Sequence, residues 1–337
     1  MSGKNDVKPP LRPGIVSLGA YTPHRVFTNE EWAGYVETSD DWIRSRTGIE
    51  RRRVAADDET TATLAIHAGR DAIARAGLEP RDIDEIIVAT DTQEVVFPDT
   101  ACFVQHGLGA REVPAYTLGG SGCAGFIQAL DLAASRVRGG SPRVLVIGVE
   151  VLTRIMDWSD RNTCVLFGDA AAAAVVSAER PRAELLAAVC GTDGSQIDIL
   201  KLEVGGIRSP VTVERLEKRE HRHILMHGRE VFRHAVGRMT QACEEVLAKI
   251  GMTVDDVDLV VPHQANLRII RAVAKSLGVP MEKVYTNVQE YGNTGSASVP
   301  LALFEAERDG RLGAGSVVLL TAFGAGFHWA AAALRYR

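Results

Sequence analysis

The sequence predicts an α/β protein built from two related halves, and three observations lead there. Apolar runs rich in Val and Ile, bounded by turn residues, occur at Glu85–Thr90, Arg143–Val149, Asp258–Pro262 and Ser316–Thr321. Each has strand length and lacks the alternation of a half-exposed strand, so each reads as a buried strand. Helical patterns lie between them, which is the grammar of strand–helix–strand units and largely parallel sheets. The grammar also recurs: Gly77 and Gly251 sit in matching helix–Gly–strand segments 174 positions apart, and the strands at Arg143 and Ser316 are 173 apart. Two elements at nearly one offset predict a duplicated domain, with chance recurrence of common α/β grammar as the alternative. The break is expected near Ser177–Glu184. That gives a tail over 1–13, an N-terminal half over 14–184 and a C-terminal half over 185–337. The stretch from Gly191 to His227 has no counterpart and reads as an insertion able to cover a site.

Length and composition agree with this division. The chain has 337 residues, room for two cores of roughly 150 residues each. A net charge of −5 supplies no strong field toward nucleic acid or an anionic membrane. No apolar run reaches the roughly 18 residues of a membrane span. Met1–Pro13 is polar, holds three prolines, and lacks the apolar core of a signal peptide. The five cysteines, Cys102, Cys123, Cys164, Cys190 and Cys243, include no CxxC pair. That pattern argues against a disulfide framework or a zinc site and for a cytoplasmic protein. No metal or cofactor is expected.

One cysteine stands apart. Pro114-Ala-Tyr-Thr-Leu reads as a strand, Gly119-Gly-Ser-Gly-Cys-Ala-Gly125 as a tight turn, and Phe126 to Val137 as an amphipathic helix. Cys123 therefore falls at or just before a helix N-terminus, where unpaired N–H groups and the helix dipole are expected to lower its pKa. The flanking glycines let a substrate carbonyl approach the backbone closely. Two other readings remain open at this point. Cys123 is a small core residue at a strand–helix junction, or Gly120-Ser-Gly-Cys-Ala-Gly125 is a dinucleotide loop with Glu150 as its acidic partner, which implies an NAD-dependent oxidoreductase.

A histidine and an asparagine favour acyl chemistry. His263 follows the strand Asp258–Pro262, at the strand end where ligand sites in α/β sheets form. Asn293 opens a later helix, and the 174-residue offset maps it near residue 119, at the duplicate of the cysteine turn. Taken singly, His263 reads equally as a core histidine and Asn293 as an N-cap. Together they suit decarboxylative condensation. A thiolate takes an acyl group from a thioester, and loss of carbon dioxide from a malonyl thioester then exposes an enolate without a strong base. The enolate oxygen needs donors, which a neutral His and an Asn amide supply.

On these residues the chain resembles the β-ketoacyl-[acyl-carrier-protein] synthase III family, the initiating condensing enzymes of fatty-acid synthesis, with relatives in polyketide pathways. The motifs are Thr38-Ser-Asp-Asp-Trp-Ile-Arg-Ser-Arg-Thr-Gly-Ile-Glu50, Gly122-Cys-Ala-Gly-Phe126, Phe167-Gly-Asp-Ala170, His263-Gln-Ala-Asn-Leu-Arg268, Gly292-Asn-Thr294 and Ala322-Phe-Gly-Ala-Gly-Phe327. The resemblance runs from Gly14 to Arg335. It implies a thiolase-like duplicated fold, five-layered α-β-α-β-α with two mixed, mostly parallel sheets, and a homodimer. It implies that acyl-CoA and malonyl-ACP are substrates, that acyl carrier protein is a partner, and that Cys123, His263 and Asn293 are catalytic. The N–H groups of Cys123 and Ala325 would form the oxyanion hole. Trp42, Arg46, Arg161, Gly228 and Asn266 match coenzyme A contacts, and Phe97, Phe167, Phe232 and Phe323 match the acyl pocket, Phe97 from across the dimer. Arg233 and Arg268 match the carrier-docking surface, with ordinary surface arginines as the alternative.

The chain departs from the family pattern near the nucleophile and tunnel. Gly119-Gly-Ser-Gly122 precedes Cys123 where bulkier residues are usual. Asn162 stands where Gly is common, Gly295-Ser296 replaces a usual Ser-Ala, and His328 sits beside the expected aromatic pattern. These bear on which primer is accepted and leave a polyketide-type starter role as an alternative. His221, His223 and His227 lack an acidic or cysteine partner at ligand spacing and read as solvated. Asp169 is expected to stabilise a turn, and Ala170–Ala174 to be tight packing.

Overall fold

The computed structural model describes residues 11–337. The four Val and Ile runs form strands, with bounds within a few residues of those expected. Among the described residues the strands are β1 (Gly14–Tyr21), β2 (Arg25–Thr28), β3 (Arg51–Val54), β4 (Glu85–Ala89), β5 (Ala115–Leu118), β6 (Arg143–Val151), β7 (Asp169–Ser177), β8 (Ala183–Thr192), β9 (Leu200–Leu202), β10 (Ile224–Met226), β11 (Leu259–Pro262), β12 (Val317–Gly324) and β13 (His328–Tyr336). The helices are α1 (Asn29–Trp32), α2 (Asp40–Thr47), α3 (Thr61–Arg75), α4 (Thr100–Leu108), α5 (Gly125–Arg138), α6 (Val213–Glu217), α7 (Gly228–Lys249), α8 (Leu267–Leu277), α9 (Val288–Tyr291) and α10 (Ser298–Arg308).

Nine strands share one mixed sheet, in the order β11-β12-β13-β8-β1-β7-β6-β4-β5. Parallel pairing is confined to its outer parts, β4 with β5 and β6 at one end and β11 with β12 at the other. The inner strands run antiparallel to their neighbours. This corrects the expectation of mostly parallel sheets. The reason is local: only Ala325–Phe327 separates β12 from β13, and so short a link permits antiparallel pairing alone. It also corrects the count of two sheets. Gly14 pairs with Glu184 and Ile15 with Ala183, which joins β1 edge-on to β8. At the end of the expected tail, Pro13 O accepts from Leu185 N at 3.0 Å; residues 1–10 lie outside the described ones.

Burial shows the five layers. Helices α5 and α10 form the middle. Phe126, Leu130 and Ala133 of α5 and Val299 and Leu303 of α10 share one buried cluster with Ile87 and Val146 on one side and Val261 and Leu320 on the other. Alternate residues of the same strands point outward. Ile86 and Val88 meet Leu64 and Ala68 of α3 and Val104 of α4. Val260 and Leu319 meet Met239 and Val246 of α7 and Ile270 of α8. The middle layer thus starts with two helices whose N-termini carry the turns of interest, Gly122–Ala124 before α5 and Gly295–Ala297 before α10. Ser296 Oγ approaches Gly122 O to 3.2 Å across a sequence separation of 174.

Candidate active site

Glycine sets the position of Cys123. Gly122 has φ +57, and a Cβ built on it would lie 2.6 Å from Ala325 N. A Cβ on Gly324 would lie 2.3 Å from Cys123 N. No side chain fits either place, so the backbone of the cysteine turn touches the backbone after β12. That contact brings the Cys123 and Ala325 amides to one wall of a cavity of about 1090 Å³.

His263 and Asn293 line the same cavity. His263 follows β11, and its N–H donates to Thr321 O at 2.8 Å. The ring is 4% exposed, and burial pushes its pKa down to about 3, so it is neutral at physiological pH. Its Nδ1 lies 2.5 Å from Ser298 Oγ, an oxygen that also accepts from Gln264 N at 3.4 Å. The Ser298 hydroxyl has one hydrogen that can go to Nδ1, and the ring proton then sits on Nε2. Asn293 is fixed from both sides. Its N–H donates to Leu166 O at 2.8 Å, and its Oδ1 accepts from Gly295 N at 2.9 Å. The Nδ2 group remains free to donate toward the Cys123 thiol, an influence that favours the thiolate.

The expectation that the helix start lowers the Cys123 pKa is overturned. Burial raises it well above the ordinary thiol value, and the nearby Asp91 and Glu150 carboxyls raise it further. Its own N–H and the Asn293 amide oppose this only in part. Desolvation exceeds a dipole that acts over one turn.

Asp91 and Glu150 are site residues that sequence reasoning missed in this role. Both line the cavity. The available signal was an acidic residue in an otherwise apolar buried strand, β6. A dinucleotide loop would need the Glu150 carboxylate free for a ribose. Instead it is 1% exposed and accepts from the N–H groups of Asp91 and Thr92 and the Thr92 hydroxyl.

The remaining expected contacts fall in three places. Trp42, Arg46, Gly228, Asn266, Phe167, Phe232 and Phe323 line the cavity. Ser39 Oγ caps α2 by accepting from Trp42 N at 3.1 Å, and the guanidinium groups of Arg46 and Arg161 each lie 4.7 Å from the Trp42 ring centroid. Asn266 caps α8 and donates to Arg46 O at 3.2 Å. Arg268 lies at the exposed edge of the cavity, and Arg233 is exposed on α7. Phe97 is outside the cavity of its own chain and 85% exposed, beside Val96 at 87%. The expected insertion supplies Leu200, Leu202, Ile224 and Met226 of the β9–β10 pair to the lining.

The five layers and the cavity joining Cys, His and Asn at strand and helix ends define a thiolase-fold enzyme. Residues 120–194 match the family model for 3-oxoacyl-[acyl-carrier-protein (ACP)] synthase III, and residues 247–336 match that for its C-terminal part. A β-ketoacyl-[acyl-carrier-protein] synthase III from Roseiflexus sp. (strain RS-1) is 48% identical over 323 residues, covering 96% of this chain and 98% of the relative. The crystal structure of 3-oxoacyl-[acyl-carrier-protein] synthase III from Aquifex aeolicus VF5 superposes with a TM-score of 0.88 at 43% identity, over 96% of this chain and 100% of that one. The priming β-ketosynthase from the R1128 polyketide biosynthetic pathway superposes with a TM-score of 0.88 at 37% identity, over 98% of each chain. The chain belongs to the β-ketoacyl-[acyl-carrier-protein] synthase III family.

Proposed function

We propose that this enzyme transfers an acyl group from acyl-CoA to Cys123 and condenses it with malonyl-ACP, giving 3-oxoacyl-ACP, carbon dioxide and coenzyme A. The step initiates fatty-acid biosynthesis. The observation that carries the reading is the meeting of Cys123, Asn293 and a neutral His263 in one cavity. The polyketide alternative rests on the likeness to a priming β-ketosynthase at 37% identity, which a synthase III from Pseudomonas aeruginosa PAO1 equals at 37%, and the curated relatives at 48% and 47% are both synthase III enzymes.

Two half-reactions follow from the geometry. In the first, Cys123 sulfur attacks the thioester carbonyl. The Asn293 amide steadies the forming thiolate, and the Cys123 and Ala325 N–H groups hold the tetrahedral oxygen. Coenzyme A leaves as the thiol, taking the proton that Cys123 gave up. In the second, the malonyl carboxylate departs as carbon dioxide, and the resulting enolate oxygen accepts from His263 Nε2–H and Asn293 Nδ2–H. The enolate carbon attacks the acyl carbonyl, Cys123 is expelled as the thiolate, and a proton from solvent restores the thiol. No step calls for a metal or a redox group.

Trp42, Arg46, Arg161, Gly228 and Asn266 are assigned to coenzyme A. Phe167, Phe232 and Phe323 are assigned to the acyl chain, and Arg233 and Arg268 to the acidic carrier protein. The working form is a cytoplasmic homodimer of two-half subunits, divided at 184/185, in which Phe97 closes the partner's acyl pocket. Exposed Val95, Val96, Phe97 and Phe103 support a subunit contact there. No nucleic acid or membrane is a partner, and among the described residues no helix is long and apolar enough to cross a membrane.

Intact mass after incubation with a panel of acyl-CoA primers tests this reading, followed by addition of malonyl-ACP. One acyl adduct is expected, absent in Cys123→Ser and discharged as 3-oxoacyl-ACP. Failure to form an adduct with every primer, or an adduct that survives C123S, would overturn it.

A further inference from the structure

Beneath the cysteine turn lie two carboxyl groups that these half-reactions do not use. Glu150 is the penultimate residue of β6, and Asp91 lies two residues after the end of β4. Asp91 Oδ1 accepts from Gly122 N at 3.3 Å, while its side chain opens into the cavity. Glu150 Oε1 accepts from Asp91 N at 3.1 Å, and Oε2 from Thr92 N at 3.2 Å and Thr92 Oγ1 at 2.8 Å. The neighbouring turn is shaped around this side chain. A Cβ on Gly295 would lie 2.6 Å from Glu150 Cγ.

Ser296 joins the two turns. Its Oγ lies 2.9 Å from Glu150 Oε1 and 3.2 Å from Gly122 O. Both partners are acceptors when Glu150 is ionised, yet a hydroxyl has one hydrogen. The two contacts are hydrogen bonds together only if Glu150 itself carries a proton and donates it to Ser296 Oγ. The Ser296 hydrogen is then free for Gly122 O, one residue before the nucleophile.

We propose that Glu150 is a positioning residue that works in its protonated form, and that its proton, relayed through the Ser296 hydroxyl, braces the Cys123 turn against the Asn293 turn. When Glu150 ionises, Ser296 rotates to donate to the carboxylate, Gly122 O loses its side-chain donor, and a second negative charge lies near Cys123. Burial, then the Asp91 charge, pushes the Glu150 pKa up to about 8, so the change falls just above neutrality. The other titratable groups around it do not replace it. Asp91, exposed toward the cavity, is itself raised by desolvation at the cavity wall, opposed by the Gly122 and Gly120 N–H groups and by His328 on β13. His263 is neutral, and the Cys123 thiol is protonated at rest. Asp169 on adjacent β7 is engaged by Ala55 N at 2.8 Å and Thr153 Oγ1 at 2.5 Å.

The inference rests on Cys123 as nucleophile, and its test separates the two. Alkylation of Cys123 by iodoacetamide, followed by intact mass from pH 6 to 10, needs no acyl-CoA. Glu150→Gln cannot ionise but still donates to Ser296. Its alkylation should match wild type near pH 6.5 and run roughly tenfold faster at pH 9, since one like charge in a buried site moves a thiol pKa by about a unit. Ser296→Ala keeps the carboxyl but breaks the brace, and should slow acetyl-CoA loading several-fold at pH 7. Superimposable wild-type and E150Q alkylation curves, or wild-type loading by S296A, would overturn the proposal. Normal alkylation with no acyl loading in any form would instead count against the condensing reaction.

Discussion

Ser298 Oγ stands 2.5 Å from His263 Nδ1, and in the proposed mechanism that hydroxyl donates to Nδ1 and leaves Nε2 as the ring's donor. A donor, not a base, is what decarboxylation of a malonyl thioester requires. His263→Ala should therefore keep acyl loading of Cys123 while malonyl decarboxylation falls about a hundredfold or more, the usual cost of one oxyanion donor. Ser298→Ala frees the tautomer and should lower condensation roughly tenfold. Intact mass reads loading, and released carbon dioxide reads the second step.

Burial of His263 and Glu150 gives opposite pH slopes to stability. His263 stays neutral down to about 3 against an ordinary 6.5. The unfolded chain binds a proton that the folded site refuses, so stability rises with pH across that window. Glu150 keeps its proton up to about 8 against 4.5, so its contribution is lost as pH climbs from 4.5 to 8. The stability difference between wild type and Glu150→Gln should fall with pH by about 1.4 kcal/mol per unit in the second window. The difference between wild type and His263→Asn should rise by a similar slope in the first. Chemical denaturation at a series of pH values measures both.

Arg46 and Arg161 both stack on Trp42, which holds the indole in place at the proposed coenzyme A contact. Trp42→Ala and Arg161→Ala should each raise KM for acyl-CoA by roughly 3- to 30-fold, because a cation–π contact contributes about 0.5–2 kcal/mol. The rate at saturating acyl-CoA should change little. A fall in kcat with unchanged KM would place these residues elsewhere in the cycle.

Phe97 and Val96 are nearly bare in the single chain. Val96→Asp should shift sedimentation toward a monomer. Phe97→Ala should leave the dimer intact but extend the longest primer that loads Cys123 by a few carbons, read from the same mass panel. An unchanged chain-length profile would remove Phe97 from the acyl pocket.

Local sequence carried a good part of this molecule. The Val and Ile runs at β4, β6, β11 and β12 were legible because strands covered on both faces keep hydrophobic residues at every position. Gly119–Gly125, His263 and Asn293 were legible because a tight turn, a strand end and a helix start each constrain residue type. The Ala-rich strands were not. Ala170–Ala174 read as tight packing, and His328–Tyr336 carried no strand reading, because Ala has little strand preference. They are strands because helices cover both their faces: Ala171 and Ala173 meet α3, and Ala330 and Ala332 meet the middle layer.

Charge state belonged to the tertiary structure entirely. From the turn alone, the α5 N-terminus argued for an easily ionised Cys123. The folded chain sets that thiol, half-buried, in the cavity wall with Asp91 and Glu150 near it, and desolvation with like charge outweighs the helix end. Glu150 lies 27 residues from Cys123 and 146 from Ser296. No spacing rule links the three. The sheet order that sets β4 beside β6, and the middle layer that brings the α5 and α10 turns together, put one carboxyl, one hydroxyl and one thiol within reach of each other.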